Sequence, residues 1–251
     1  MTTPPEPRTE VRRAGDRALT RTPELQSRHS FSFGPHYDPG NTSFGLLVAV
    51  NEDRVAAGAG FPDHPHRDLE IVTWVLDGAL VHEDSTGGSA VTRPGQVQVL
   101  GAGRGVRHAE TNDPWRLDGG PASDEPVRYV QTWLVPDTSG LDPVYDRRDV
   151  RAELATGALV PVASGRPGHA GVLRLRQRHA ALHAARLPAG SAVELPDAPY
   201  LHLFVARGEV VLEGVGRLGE GDAARLTASG GRVSAPSAAE VLVWEMHAGL
   251  G

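Results

Sequence analysis

FPDHPHRDLEIVTWVLDG (residues 61–78) and RPGQVQVLGAGRGVRHAE (residues 93–110) each place a pair of metal-ligating side chains two residues apart, next to a short apolar run bounded by glycine. On an extended strand, residues i and i+2 face the same way, with Cα atoms about 6.6–6.8 Å apart. His64 and His66 therefore share one face, and His108 and Glu110 share another. EIVTWVL (70–76) and QVQVL (96–100) are short, rich in β-branched residues and ended by Gly or Asp, which predicts strands. Val97 and Val99 alternate with Gln96 and Gln98, the period of a strand with one buried face.

Similar runs flank this region: FGLLVAVNEDRV from Phe44, Ala79–His82 and VRYVQTWLV over Val127–Val135. The spacing is that of a β-sandwich or barrel. The 30 Gly and 20 Pro among 251 residues disfavour a helical bundle and favour an all-β chain with many turns. A second block repeats the layout, from GVLRLRQRHAALHAARL through YLHLFVARGEVVLEG to AAEVLVWEM. The expectation is two related barrels in tandem. The first spans residues 1–136 with a flexible leader to about Glu10, residues 137–168 form a linker, and the second spans residues 169–251.

The net charge of -6 gives no electrostatic footprint for nucleic acid, so direct nucleic-acid binding is not expected. All 25 basic residues are Arg, as codon bias in a GC-rich genome would produce. With no Cys, disulfides, thiolate nucleophiles and Cys-ligated metals are excluded, so any metal is held by His and carboxylates. No apolar run is long enough for a signal segment or a membrane span, and the expected location is cytoplasmic.

Three imidazoles and a carboxylate make a mixed N/O site suited to Fe(II), Mn, Co, Ni, Cu(II) or Zn, and affinity order alone does not choose among them. In six-coordinate geometry such a set leaves two adjacent positions for substrate. A lone His-x-His is more often a solvated pair. The glycines around these pairs (Gly58, Gly60, Gly78, Gly95, Gly101, Gly103 and Gly105) fit tight corners that bring distant strands together.

These residues resemble the cupin superfamily. Gly58, His64, His66, Glu70 and Gly78 follow its first motif with one extra residue before the last glycine. Pro94-Gly95 through Gly105-x-x-His108 follows the second, with Gly103 where a proline is usual. The text is closer still to the pirin family, in His64-Pro65-His66-Arg67, His82-Glu83-Asp84-Ser85-Thr86-Gly87 and Gly103-Arg104-Gly105-Val106-Arg107-His108-Ala109-Glu110. Arg28–Phe33 and Phe44–Asp53 are also pirin-like. The resemblance is strong over Arg28–Glu110, and beyond Val135 it rests on layout.

The resemblance implies two tandem cupin barrels, with one divalent transition metal, Fe(II) favoured, held by His64, His66, His108 and Glu110. It further implies quercetin 2,3-dioxygenase-like chemistry, in which a flavonol is cleaved by O2 with loss of carbon monoxide. Glu110 would be both ligand and acceptor of the substrate's hydroxyl proton. A second class it implies is a metal- and redox-responsive regulator that binds a protein partner.

Other polar and aromatic residues are given ordinary roles. Glu70 is expected to be structural or to support the ligands, and Arg67 to pair with Asp68 or Glu70. His82 is expected to be a solvated turn residue, and His29 and His36 to be hydrogen-bonding residues near the pocket mouth. Phe31, Phe33 and Trp74 are expected in the core. The second barrel is expected to hold no metal. His179 and His183, on a strand, would stand about 13 Å apart, and His202 faces away from Leu201, Leu203 and Val205.

Overall fold

The computed structural model describes residues 6–250. Each half of the chain forms the same pair of sheets, one of seven strands and one of four, as two tandem cupin-type barrels require. In the first half the large sheet runs, in spatial order, Val144–Asp149, Gln96–Gly101, Glu70–Asp77, Val127–Leu134, Leu47–Val55, Leu25–His29 and Ala18–Arg21. Its small sheet runs Gly60–His66, Val106–Thr111, Leu80–Asp84 and Ser89–Thr92. Side chains from the two sheets meet in the barrel interior, where Gln98 and Gln131 of the large sheet hydrogen-bond Glu110 of the small one.

The second half repeats this around Ala180–Leu187, Tyr200–Arg207 and Ala239–Met246. The large sheets of the two halves pack face to face. Val72, Trp74, Leu76, Val97 and Val99 project every second residue from the first sheet, against Leu182, Phe204, Leu242 and Trp244 of the second. Trp74 also ties the halves together polarly, its Nε1 donating to Glu240 Oε1 at 2.6 Å.

The interiors differ in kind. Alternate residues of the second barrel fill it with Leu201, Leu203, Val205, Val210, Leu212 and Leu226. The same inward positions of the first barrel carry Asn51, Asp53, Thr73, Gln98, Glu110 and Gln131, all buried. Buried polar groups need partners, and this interior is where the candidate ligands converge. The Val/Gln alternation of 96–99 therefore has a different meaning from the one expected. Gln98 is 2% exposed, because the face opposite Val97 and Val99 is the inside of a barrel and not solvent.

Of the expected flexible leader, residues 1–5 lie outside the described residues, and Arg8–Arg12 forms a strand. It pairs antiparallel with Ala223–Thr227, from Arg8↔Thr227 to Arg12↔Ala223, at the edge of the second large sheet. Its alternating charges (Arg8, Glu10, Arg12) suit an edge, and local composition cannot show a partner so far along the chain. The span 137–168, expected as a linker, supplies Val144–Asp149 to the first large sheet and Val160–Ser164 to the second, with the short helix Arg151–Leu154 between them. No helix among the described residues is long and apolar enough to cross a membrane.

His202 lies between the barrels, 1% exposed, with neither ring nitrogen hydrogen-bonded. Burial, with the Arg225 charge adding to it, pushes its pKa down to about 3. The folded protein thus holds His202 neutral, while the unfolded chain protonates it below pH ~6.5. Stability that is intact above that pH is lost as pH falls. His202→Phe is expected to flatten the dependence between about pH 6 and about pH 4 by roughly 1.4 kcal/mol per pH unit. Urea unfolding followed by circular dichroism across that range measures it, and an unchanged slope would refute the assignment.

Candidate metal centre

His64 and His108 are direct cross-strand partners in the small sheet, and His66 stands opposite Val106. An irregularity in register between His108 and Glu110 re-aims the Gly60–His66 strand, as bulges beside functional sites do. Gly60 permits this close approach, since a Cβ there would run into the backbone oxygen of Glu110. Gly103, with φ +47°, packs its backbone against Leu141 in the loop that leads to His108.

The three rings gather with centroids 4.4 Å (His64–His108), 4.9 Å (His64–His66) and 5.0 Å (His66–His108) apart. Their ligand nitrogens all lie within 4.8 Å of one another, the scale of triangle that an ion with bonds of about 2.1 Å draws together. His64 Nδ1 donates to the Pro62 carbonyl at 2.7 Å, which leaves Nε2 as its lone-pair nitrogen. His66 Nε2 and His108 Nε2 are buried with no hydrogen-bond partner. Three convergent imidazoles with open nitrogens fit a divalent cation and little else. Burial, with His64 adjacent, lowers the His66 pKa to about 4. Burial and the neighbouring imidazoles lower that of His108 to about 2. Both rings are therefore neutral, as ligands must be.

Glu110 belongs to a second group that shares His108: His82, His108 and Glu110 also have ligand atoms within 4.8 Å of one another. The four residues singled out in the sequence are thus divided between two clusters that share His108, Glu110 being grouped with His82 and not with His64 and His66. Glu110 Oε2 accepts from Gln131 Nε2 at 2.7 Å and Oε1 from Gln98 Nε2 at 3.2 Å. Both amides are held in that orientation. The Gln98 carbonyl accepts from Thr92 and Tyr145, and the Gln131 carbonyl accepts from Trp133 Nε1. Burial outweighs the Gln131 hydrogen bond and, with the Asp53 charge, raises the Glu110 pKa to about 7.

His82 is no solvated turn residue. It is fully buried within Leu80–Asp84, because the hairpin turn comes later, at Ser85–Gly88. Its ring stacks on Tyr145 at 4.0 Å, its Nδ1 lies 3.4 Å from His108 Nδ1, and its Nε2 lies 2.9 Å from Asp84 Oδ2. Burial would raise the Asp84 pKa, but hydrogen bonds from Thr86, His82 and Gly88 hold it below the usual range.

A cavity of about 260 Å³ opens onto His64, His66 and Glu110, walled by Leu25, Phe33, Phe61 and Trp133. Phe33, expected in the core, is half-buried and lines this cavity, with its ring edge-on to Trp133 and stacked on His29. Phe31 and Trp74 are core residues. His29 and His36 both bond Thr20 Oγ1, and His29 also reaches the cavity wall. Arg67 pairs with Asp68 at 3.5 Å. Glu70, 1% exposed, accepts the backbone N–H of Arg176 and so links the barrels. In the second barrel His183 bonds Glu245 at 2.7 Å, and His247 shares the same carboxylate.

Gln98, Gln131, Asp53, Trp133 and the His82–Asp84 pair were not singled out as site residues. For Gln98 and Gln131 the available signal was a polar residue among apolar ones within a strand.

Fold and cluster together define a two-barrel protein of the cupin type, with a His/Glu metal-binding group in its first barrel. The comparisons with known proteins agree. Residues 11–134 match the Pirin family, and the chain belongs to that family. It is 51% identical over 243 residues, 96% of each chain, to a protein of Mycobacterium tuberculosis named "Putative quercetin 2,3-dioxygenase". It is 38% identical over 138 residues, 55% of this chain and 56% of the relative, to the quercetin 2,3-dioxygenase of Escherichia coli K12. The crystal structure of the bacterial pirin YhhW from E. coli in complex with nickel(II) superposes with a TM-score of 0.84 at 29% identity. That match covers 96% of this chain and 100% of the other.

Proposed function

We propose that the protein is a metal-dependent dioxygenase that cleaves a flavonol such as quercetin with O2. One divalent ion, Fe(II) favoured and Ni(II), Co(II), Cu(II), Mn(II) or Zn(II) compatible with the donor set, would be held by His64, His66, His108 and Glu110. The observation that carries the reading is the aromatic-walled cavity lined by His64, His66 and Glu110, beside the buried, unpartnered nitrogens His66 Nε2 and His108 Nε2. The names of the relatives support it, since two of them are called quercetin 2,3-dioxygenases.

When bound, the ion supplies positive charge that favours the deprotonated flavonol and its reaction with O2. Phe33, Phe61 and Trp133 hold a planar polycyclic substrate and exclude water. Glu110 Oε1, held by Gln98 less tightly than Oε2 is held by Gln131, takes the hydroxyl proton. The Gln131 bond keeps the carboxylate in place while it does so. With quercetin and Fe(II)- or Ni(II)-loaded protein, oxygen uptake equal to substrate loss and release of carbon monoxide are expected. Uptake no faster than in the metal-free control with every one of these ions would overturn the proposal.

A further inference from the structure

We propose that Asp84, acting through His82, sets which nitrogen of His108 carries the proton, and so keeps the ligating nitrogen bare. Asp84 and His82 are positioning residues here. Neither is placed among the ligands.

The direction of the hydrogen bonds follows from the hairpin outward. Asp84 Oδ1 accepts three bonds, from Thr86 N at 2.8 Å, Thr86 Oγ1 at 2.6 Å and Gly88 N at 3.1 Å. A carboxylate so held can only accept from its other oxygen, so His82 Nε2 carries the proton it shares with Oδ2. A neutral imidazole has one N–H, which leaves His82 Nδ1 as an acceptor. His108 Nδ1 must then donate to it, and His108 Nε2 is left with its lone pair. That nitrogen is the one buried without a partner beside His64 and His66. The stack of Tyr145 on His82, 3° from parallel, fixes the ring plane through which this order passes.

Asp84→Asn inverts the order without changing the shape of the side chain. The three donors at Oδ1 select the amide's carbonyl for that position and turn its NH2 toward His82 Nε2. His82 must then accept there and donate from Nδ1, so His108 Nδ1 becomes the acceptor and the proton moves to His108 Nε2. A change two side chains away thus blocks the ligand nitrogen.

This rests on the metal site proposed above, but its first readout needs no metal. In metal-free protein at pH 7.5, long-range 1H–15N correlation of the histidine rings is expected to show His108 protonated at Nδ1 in the parent and at Nε2 in Asp84→Asn. In calorimetric titration with Ni(II), Asp84→Asn is expected to bind about 10- to 100-fold more weakly, the range typical for loss of a group that orients a ligand. His82→Phe keeps the stack on Tyr145 and the hairpin carboxylate. It is expected to leave His108 as a mixture of tautomers, and in that background Asp84→Asn should weaken Ni(II) no further. A parental His108 tautomer in Asp84→Asn, or an equal effect of Asp84→Asn with and without His82, would overturn the proposal. Failure of the parent to bind Ni(II) would count against the metal reading alone, because the tautomer comparison decides the relay by itself.

Discussion

With His108 replaced by alanine, metal content is expected to fall from one ion per chain to background, and flavonol turnover by about three orders of magnitude or more. His108 is the residue common to both clusters, with its Nε2 beside His64 and His66 and its Nδ1 beside His82. Removing it leaves two imidazoles on one strand and a carboxylate already engaged by two amides. A Lewis acid contributes several kcal/mol to such chemistry, and about 1.4 kcal/mol is a factor of ten. Elemental analysis before and after the change is the measurement. An ion that survives His108→Ala would locate a site elsewhere, in the second barrel for example, and would refute the single-site reading.

The largest effect on stability is expected at Trp74. It is 1% exposed, sits between the two large sheets and bonds Glu240 across them. Trp74→Ala is expected to cost about 4 kcal/mol or more, from lost burial and the cavity left behind. That is a large share of the ~5–15 kcal/mol typical of a domain. Trp74→Phe separates the terms. It keeps most of the contact area but leaves Glu240 Oε1 without its donor, at about 1–3 kcal/mol. Guanidinium unfolding by far-ultraviolet circular dichroism gives both numbers, and a loss below about 1 kcal/mol for Trp74→Ala would contradict the packing argument.

The all-β class and its two-block organisation were legible in the sequence because strand period and glycine punctuation are local signals. The His-x-His and His-x-Glu pairs were legible for the same reason, since a two-residue spacing fixes a shared face. The residues that hold Glu110 were not. Gln98 alternates with valines, and a polar residue in that pattern reads the same whether it faces water or a barrel interior. His82 lay close enough to a Gly-rich turn to pass for part of it, and only the strand pairing puts it behind His108. Phe33 looked like core because an aromatic residue reads the same whether it packs inside a barrel or lines a cavity, and its place beside His29 and Trp133 comes from tertiary contacts.

The strand Arg8–Arg12 has a consequence for the order in which the molecule is assembled during translation. It is made before the strands of the first barrel, yet its partner Ala223–Thr227 is made after them and after most of the second barrel. The strands of the first barrel, Ala18 to Asp149, are contiguous, so that barrel can close while synthesis continues, as N-terminal units generally do. The leading strand then waits as a tether, and its docking is a late, long-range step of the kind that slows folding. Until it docks, Ala223–Thr227 presents an open edge, the hazard that promotes association between nascent chains. The nascent chain would thus have a finished metal pocket before the second barrel is sealed.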